Sequence, residues 1–258
     1  MKSKGLFIGT GASLGVPVIG CTCPVCQSTD PKNKRSRSSL LITSRGKKLL
    51  IDAGPDLRCQ ALTFSIDHID GVLLTHAHHD HTAGLDDLRI YHFRNQAPVP
   101  CLVNAETAED LKKRFYYMFG DLPHTKDRVE LQILPEESGE IEFQGVPLRY
   151  FTYDQVGMTV LGFRFGKMAY VTDIKAYSEE IFDVLKNLDI LILSALRFGT
   201  SHMHLTVDEA VEFVRKVKPK KTYLTHTAHE LDYEKTNHYL KGDGIELAFD
   251  GLEFTYDG

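Results

Sequence analysis

The run His76-Ala77-His78-His79-Asp80-His81 packs four imidazoles and one carboxylate into six residues. Such a borderline-soft nitrogen and oxygen donor set suits zinc, manganese or iron. The apolar segment GVLLT (residues 71–75) leads straight into it, and Thr82-Ala83-Gly84-Leu85 follows. A strand, a tight turn and a helix start would place these polar side chains at a strand's carboxyl end, where loop-borne sites gather. His76 and His78, two apart on extended backbone, can point to one side. Asp80 and His81, entering the turn, can aim at a second cation close by. His79 alternates away from the first pair and is not expected to ligate.

A second cluster lies in Gly20-CTCPVC-Gln27, where Cys21, Cys23 and Cys26 sit within six residues and Pro24 shapes the turn. Three thiolates need one further ligand to close a tetrahedral zinc site, and His229, three residues after His226 in LTHTAHELD, is the candidate. The remaining two of the five cysteines, Cys59 and Cys101, stand in apolar company and read as core residues. An odd cysteine count with three thiols crowded together fits a reducing compartment and metal binding better than disulfides.

The elements that must position these groups are short. Strands are expected at Leu6–Ile8, Ser39–Thr43, Lys48–Asp52, Gly71–Thr75, Cys101–Val103, Leu148–Thr152, Leu161–Arg164, Met168–Thr172, Ile190–Ser194, Thr222–Thr225, Ile245–Ala248 and Leu252–Thr255, most bounded by Gly, Asp or Pro. Helices are expected at Ala83–Phe93, Ala105–Phe119, Ser178–Leu188, Thr206–Val217 and Glu230–Leu240. Thr206 precedes an apolar pattern at helical spacing, and with Glu209 three residues on it forms a capping box. Interspersed strands and helices indicate an α/β (α+β) chain with sheets covered by helices.

Composition agrees with a globular chain: 258 residues, 42% hydrophobic, 25% charged. A net charge of -5 argues against broad capture of nucleic acid or an anionic membrane. The basic runs KNKRSR (residues 32–37) and KVKPKK (residues 216–221) read as solvated surface. No apolar run approaches the ~20 residues that cross a bilayer, and the N-terminus lacks a secretory pattern. A cytoplasmic location is expected.

The run HAHHDH resembles the His-x-His-x-Asp-His signature of the metallo-β-lactamase superfamily, and LLIDAGPD (residues 49–56) resembles its first strand-turn motif. Matching motifs extend from residue 5 to residue 251. The resemblance implies a single domain over 1–258, a four-layer αββα sandwich with metals at one edge of the two sheets, and a zinc-binding loop inserted around 15–37. It also implies roles. Asp52 supports the metal loop without binding metal. Asp173, in AYVTDIKA, bridges two cations, which can then sit ~3.5–4 Å apart. His226, in TYLTHTAH, joins Asp80, His81 and Asp173 at one position, leaving His76, His78 and Asp173 at the other. The superfamily usually adds a histidine there. This chain has none in RYFTYDQVGMTVLGFRFG, and Gln155 or Asp154 takes its place.

The cysteine loop, GTGASLGVPVIGCTCPVC, together with LTHTAHELD is similar to PhnP-type cyclic phosphodiesterases. That resemblance implies a structural zinc on Cys21, Cys23, Cys26 and His229, and one or two active-site divalent ions (zinc or manganese, or iron). It implies His204 as the general acid. Independently of the resemblance, His202 is the fallback, Asp80 is placed within the catalytic set, and Arg58 and Arg197 are expected as phosphate contacts. The expected activity is metal-dependent hydrolysis of a small cyclic nucleotide- or ribose-phosphate-like phosphodiester. The alternatives are a ribonuclease Z-like nuclease or other metallo-hydrolase acting on a thioester or lactone, a non-catalytic sensor with an incomplete metal site, and a PqqB-like role in cofactor biosynthesis. The partner expected is a small molecule, with neither nucleic acid nor membrane; a homodimer is compatible with the sequence.

Overall fold

A computed structural model describes residues 2–119 and 128–258. In chain order its strands are β1 (Lys2–Gly9), β2 (Ser39–Ser44), β3 (Lys47–Ile51), β4 (Gly71–Leu73), β5 (Val99–Val103), β6 (Val129–Ile133), β7 (Gly139–Phe143), β8 (Val146–Gln155), β9 (Met158–Phe165), β10 (Met168–Val171), β11 (Ile190–Ser194), β12 (Lys221–Thr225), β13 (Ile245–Leu247) and β14 (Glu253–Asp257). They form two seven-stranded sheets, ordered β14-β1-β2-β3-β4-β5-β6 and β13-β12-β11-β10-β9-β8-β7. Each sheet is antiparallel in one half and parallel in the other, with β3 to β6 parallel in the first and β10 to β13 in the second. The parallel runs matter for the site, because successive strands then end on the same edge.

Side-chain alternation builds the layers. In β2, Leu40 and Ile42 face the second sheet, packing with Phe163 and Tyr170, while Leu41 faces the opposite way. Leu50, Leu41 and Val72 on that outer face bury Leu57, Leu88, Ala108 and Leu111 from the covering helices. Leu191, Leu193 and Leu224 of the second sheet do the same for Val207, Ala210 and Val214 of the helix Val207–Val217. Helix, sheet, sheet, helix is the four-layer αββα sandwich expected from the resemblance.

The helix Val207–Val217 begins as its sequence specifies. Thr206 Oγ1 accepts from Glu209 N at 3.2 Å and Glu209 Oε2 accepts from Thr206 N at 2.7 Å, the reciprocal capping box. Other boundaries differ. The helix expected at Ala83–Phe93 is a 3-10 turn over Ala83–Leu88 followed by the helix Arg89–Asn95. Gly84 N donates to Ala53 O at 2.8 Å, which pins the start of that segment against the neighbouring loop. The helix expected over Ser178–Leu188 is reduced to Ile181–Val184, and that at Glu230–Leu240 to Tyr233–Tyr239. The segment expected as one helix over Ala105–Phe119 divides into Ala105–Arg114 and Tyr116–Phe119. Strands β6 and β7 and the helix Leu57–Thr63 had no counterpart in the sequence pattern. Both strands lie at sheet edges and carry glutamate, one in β6 and two in β7, which suits an exposed edge and weakens the strand signal.

Two residues depart from their expected surroundings. Cys59 is exposed, not core. Arg35, in the basic run expected to be solvated, is 2% exposed, and its guanidinium donates to Thr227 Oγ1, Asn33 Oδ1, Ala228 O and Leu231 O. No helix among the described residues is long and apolar enough to cross a membrane.

Candidate metal centre

The carboxyl ends of the parallel strands converge on one edge. Asp52 follows β3, the His76–His81 segment follows β4, Asp173 follows β10 and His226 follows β12. Asp52, Asp173 and His226 all adopt left-handed backbone, with φ of 63°, 56° and 54°. This conformation costs of order 1–3 kcal/mol for a non-glycine residue and clusters at functional sites. Here it turns each chain sharply at the sheet edge and aims the side chain inward. The two sheets meet at this edge, where Leu161 N of β9 donates to Thr75 O at 2.8 Å.

Apart from half-buried His78, the side chains brought together are almost fully buried. Asp80 Oδ2 lies 3.4 Å from His81 Nε2 and 3.3 Å from His226 Nε2. Asp173 reaches His81 Nε2 with Oδ2 at 3.3 Å and His226 Nε2 with Oδ1 at 3.3 Å. His76 Nε2 and His78 Nδ1 stand 3.0 Å apart, and His76 also shares a donor group with His81 and Asp173. These separations test the fit of a cation. Charge-assisted hydrogen bonds run about 2.7–2.9 Å. Donors at about 2.0–2.2 Å around a tetrahedral ion stand roughly 3.4 Å from one another. His81 Nε2 has no hydrogen-bond partner although two carboxylates face it, so the spacing suits ligands around an ion better than a closed ion pair.

Supporting groups orient the rings. Asp52 Oδ2 lies 2.7 Å from His81 Nδ1, while Asp52 Oδ1 accepts from Thr75 N at 2.9 Å. Thr75 Oγ1 lies 2.9 Å from His76 Nδ1. A carboxylate on the far nitrogen of a ligating imidazole fixes its tautomer and raises its basicity. Burial raises the Asp52 carboxyl above its ordinary range, against the pull of His81 and Thr75. Burial also opposes charge on His81, but Asp173, Asp80 and Asp52 outweigh it and hold that imidazole well above its usual value. The same imidazoles overcome burial to hold Asp80 and Asp173 well below the carboxylate range. His76, by burial and by repulsion from His81, titrates well below an ordinary histidine.

His204, from the loop between β11 and the helix Val207–Val217, also reaches the cluster. Its Nδ1 lies 3.4 Å from Asp173 Oδ1, and burial pushes its pKa down to about 4. Gln155, the last residue of β8, is buried at 2% exposure, with Nε2 3.3 Å from Asp173 Oδ1 and from both His204 ring nitrogens. Asp154, the other residue offered by the sequence, instead accepts from Gly157 N at 2.9 Å in the hairpin turn. Strand alternation decides between them: in the observed register Gln155 turns inward and Asp154 does not. His79 and His202 are exposed.

A cleft of about 530 Å³ opens beside His204, lined by Leu14, Val18, Leu196, Arg197, Met203 and His229 among others. Arg197 lines it and pairs with Glu230 at 2.9 Å. Arg58 lies elsewhere, in a separate cleft with Leu62, Ile90 and Phe93 that holds none of the clustered histidines. It follows Leu57, whose burial against the helix layer turns the Arg58 side chain outward.

The three thiols do meet His229. Cys21, Cys23 and Cys26 Sγ stand 3.3, 3.5 and 3.5 Å from its Nδ1. Zinc with sulfur at about 2.3 Å and nitrogen at about 2.0–2.1 Å sets tetrahedral sulfur–nitrogen edges near 3.5 Å, so the set fits zinc. Cys26 N donating to Cys23 Sγ leads the effects that lower the Cys23 thiol to about 6, whereas burial raises Cys26 to about 11.

Several positioning residues gave no sequence signal of their role. A Cβ on Gly54 would stand 2.1 Å from Asp80 O, and one on Gly84 2.2 Å from Gly54 O, so the metal loop packs there only because both lack side chains. Arg114 clamps the same loop through Ala77 O and Thr82 Oγ1. Arg35 holds the segment carrying both His226 and His229. Gly54 stands within LLIDAGPD, but that motif does not reveal its packing role, and nothing marks Gly84 or the arginines.

Residues 47–227 match the family profile described as beta-lactamase superfamily domain. Among solved structures, a new diphosphatase from the PhnP family is 39% identical, with a TM-score of 0.92 over 99% of this chain and 98% of that one. Zinc-bound PqqB from Methylobacterium extorquens is 20% identical with a TM-score of 0.79, a likeness of fold. Among curated proteins, the octanoyltransferase of Porphyromonas gingivalis is 35% identical over 98% of this chain and 51% of its own length. The chain thus spans about half of that relative.

Proposed function

Because the chain belongs to the beta-lactamase superfamily and, within it, to the PhnP family, we propose that it is a metal-dependent hydrolase of small phosphodiesters, including cyclic ribose- or nucleotide-phosphate-like ones. The observation that carries this reading is the convergence of Asp80, His81, Asp173 and His226 at ion-ligand spacing, with His204 against Asp173 at the rim of an open cleft. His76, His78, Asp80, His81, Asp173 and His226 would hold divalent cations, zinc, manganese or iron. When bound, such ions supply Lewis acidity and lower the pKa of water toward neutrality.

The chain's own residues supply the rest. Asp80 and Asp173 hold the attacking water in position; as its oxygen bonds to phosphorus its proton leaves to bulk solvent. The bond from phosphorus to the leaving oxygen breaks, and His204 passes its proton to that oxygen from the ring nitrogen that does not face Asp173. Buried beside other imidazoles, His204 is neutral at pH 7 in the free protein. An anionic phosphoryl group beside it favours the charged ring, so the acid is armed by the substrate. Arg197 at the cleft offers a guanidinium to the phosphoryl oxygens once it leaves Glu230. Leu14, Val18 and Met203 give the cleft an apolar wall for the leaving group.

The relative named a diphosphatase supports a neighbouring substrate class, since a diphosphate bridge also presents phosphorus with two bridging oxygens. The relative named an octanoyltransferase favours a second reading, hydrolysis of an acyl thioester. Steady-state rates on a 2′,3′- or 1,2-cyclic ribose phosphate, a nucleoside diphosphate ester and an octanoyl thioester discriminate the three. The proposal expects kcat/KM to be highest on the cyclic diester. A highest value on the thioester overturns it.

A further inference from the structure

We propose that the cleft between the helices Leu57–Thr63 and Arg89–Asn95 binds a small anionic amphiphile, an aliphatic chain ending in a carboxylate, with Arg58 at its head. None of the clustered histidines lines this cleft, and its ligand is independent of the hydrolase reading.

Each of the two short helices presents one face to the cleft. Arg58, Ala61 and Leu62 on the first, and Ile90, Phe93 and Arg94 on the second, recur at the three- and four-residue spacing that gathers side chains on one side of a helix. Leu57, Ile66 and Tyr91 make a buried floor, and Tyr91 Oη donates to Ile66 O at 2.9 Å, which satisfies the floor's one polar side-chain group. Above that floor Leu62, Ile90 and Phe93 are 65%, 47% and 50% exposed. A single apolar side chain in solvent needs no explanation, but three around one cleft make a patch of the kind that ligands cover. The cleft holds about 400 Å³, within the roughly 300–1,000 Å³ of small-molecule sites.

Charge selects the class of ligand. Arg58, Arg89 and Arg94 line the cleft against one aspartate, Asp87, in a chain whose net charge is -5. A fourth guanidinium, that of Arg128, stands over the Phe93 ring at 5.5 Å. Arg89 pairs with Asp86 at 3.0 Å and Arg94 Nη1 donates to Asp67 O at 2.9 Å, and each keeps further N–H donors. Arg58 has neither an ion pair nor a hydrogen bond among the described residues. A guanidinium takes a carboxylate through two parallel N–H···O bonds, and the apolar wall beside Arg58 receives the chain behind that head. A protein partner would engage roughly 20–30 residues, many more than this cleft presents, so a small ligand is the better fit.

Decanoate is the probe, titrated below its micelle-forming concentration into the metal-loaded protein and followed by calorimetry. Acetate supplies the head without the chain, decanol the chain without the head, and decylammonium the opposite charge. The wild type is expected to bind one decanoate per chain, at least about tenfold more tightly than any of the three controls. Arg58→Glu should weaken decanoate by about tenfold or more, and Phe93→Ser by about fivefold. Both positions are exposed, so the unfolding midpoint should stay at the wild-type value. His204→Ala, altered in the other cleft, should bind decanoate as the wild type does. Equal affinity for decanoate and decylammonium overturns the proposal. So does wild-type decanoate affinity in both Arg58→Glu and Phe93→Ser, or its loss in His204→Ala, which would move the ligand to the metal centre. Absence of decanoate binding, with self-association that Phe93→Ser abolishes, would also overturn it and assign the face to a second copy of the chain.

Discussion

The cluster at the sheet edge and the cysteine cluster are two answers to the same problem, holding a cation with side chains from distant parts of the chain. The edge cluster uses nitrogen and oxygen donors on rigid strand ends, buried behind Asp52 and Thr75 and turned inward by left-handed backbone. The cysteine cluster uses sulfur on a loop, half-buried and with only a small apolar patch of Val16, Val25 and Cys26 around it. One donor set suits a Lewis-acidic ion with room for substrate. The other, with four protein ligands, suits a closed structural zinc. They are joined through one short segment: His226 serves the first and His229 the second, and Arg35 braces the residues between. On the proposed reading, a metal on the loop would contribute folding energy, whereas the edge, assembled by the sheets, would contribute chemistry.

That contrast can be broken by matched variants. Cys26→Ser removes a ligand from the loop and should lower unfolding stability by about 4 kcal/mol or more, the range for loss of a structural metal, read by denaturant unfolding. Retention of the wild-type midpoint would mean that the loop needs no metal. His204→Ala should leave stability near wild type and reduce kcat by about 10²-fold or more on a poor alkyl leaving group. Its effect on an activated aryl phosphodiester should be much smaller, and equal losses on both would remove the proton-donor role. Asp52→Asn keeps the shape but weakens the support of His81, and should cost roughly 10–100-fold in affinity for the edge cation with no change at the cysteine loop; calorimetric titration of the stripped protein measures it. Thr206→Ala, which removes half of the capping box below the His204 loop, should cost about 1 kcal/mol and little activity. A large loss of activity there would show that the cap also sets the position of His204.

The same contrast explains what could be read in the sequence. Ligands within a few residues of each other, His76 to His81 and Cys21 to Cys26, are legible because local geometry alone brings them together. The layers were legible too, because Leu40, Ile42 and Leu50 alternate as a sheet between two cores demands. Gln155 and Asp154 could not be separated, since the choice depends on the inward phase of β8 and on the Val156-Gly157 turn. The exposed Arg58 and the buried Arg35 were both misplaced, because an arginine's environment is set by tertiary packing that no local pattern encodes. Arg114, which reaches the metal loop from the end of the helix Ala105–Arg114, is of the same kind.

The account's central claim is that the edge cluster is a working metal centre distinct from the cysteine loop. The direct test compares His226→Ala with His229→Ala, two histidines three residues apart, by elemental analysis of protein purified without chelator and by hydrolysis of an aryl phosphodiester. His226→Ala should lose an edge cation and the hydrolysis while keeping the loop zinc and its thermal midpoint, and His229→Ala should lose the loop zinc and stability first. A His226→Ala protein that keeps the wild-type metal content and full hydrolysis would contradict the account.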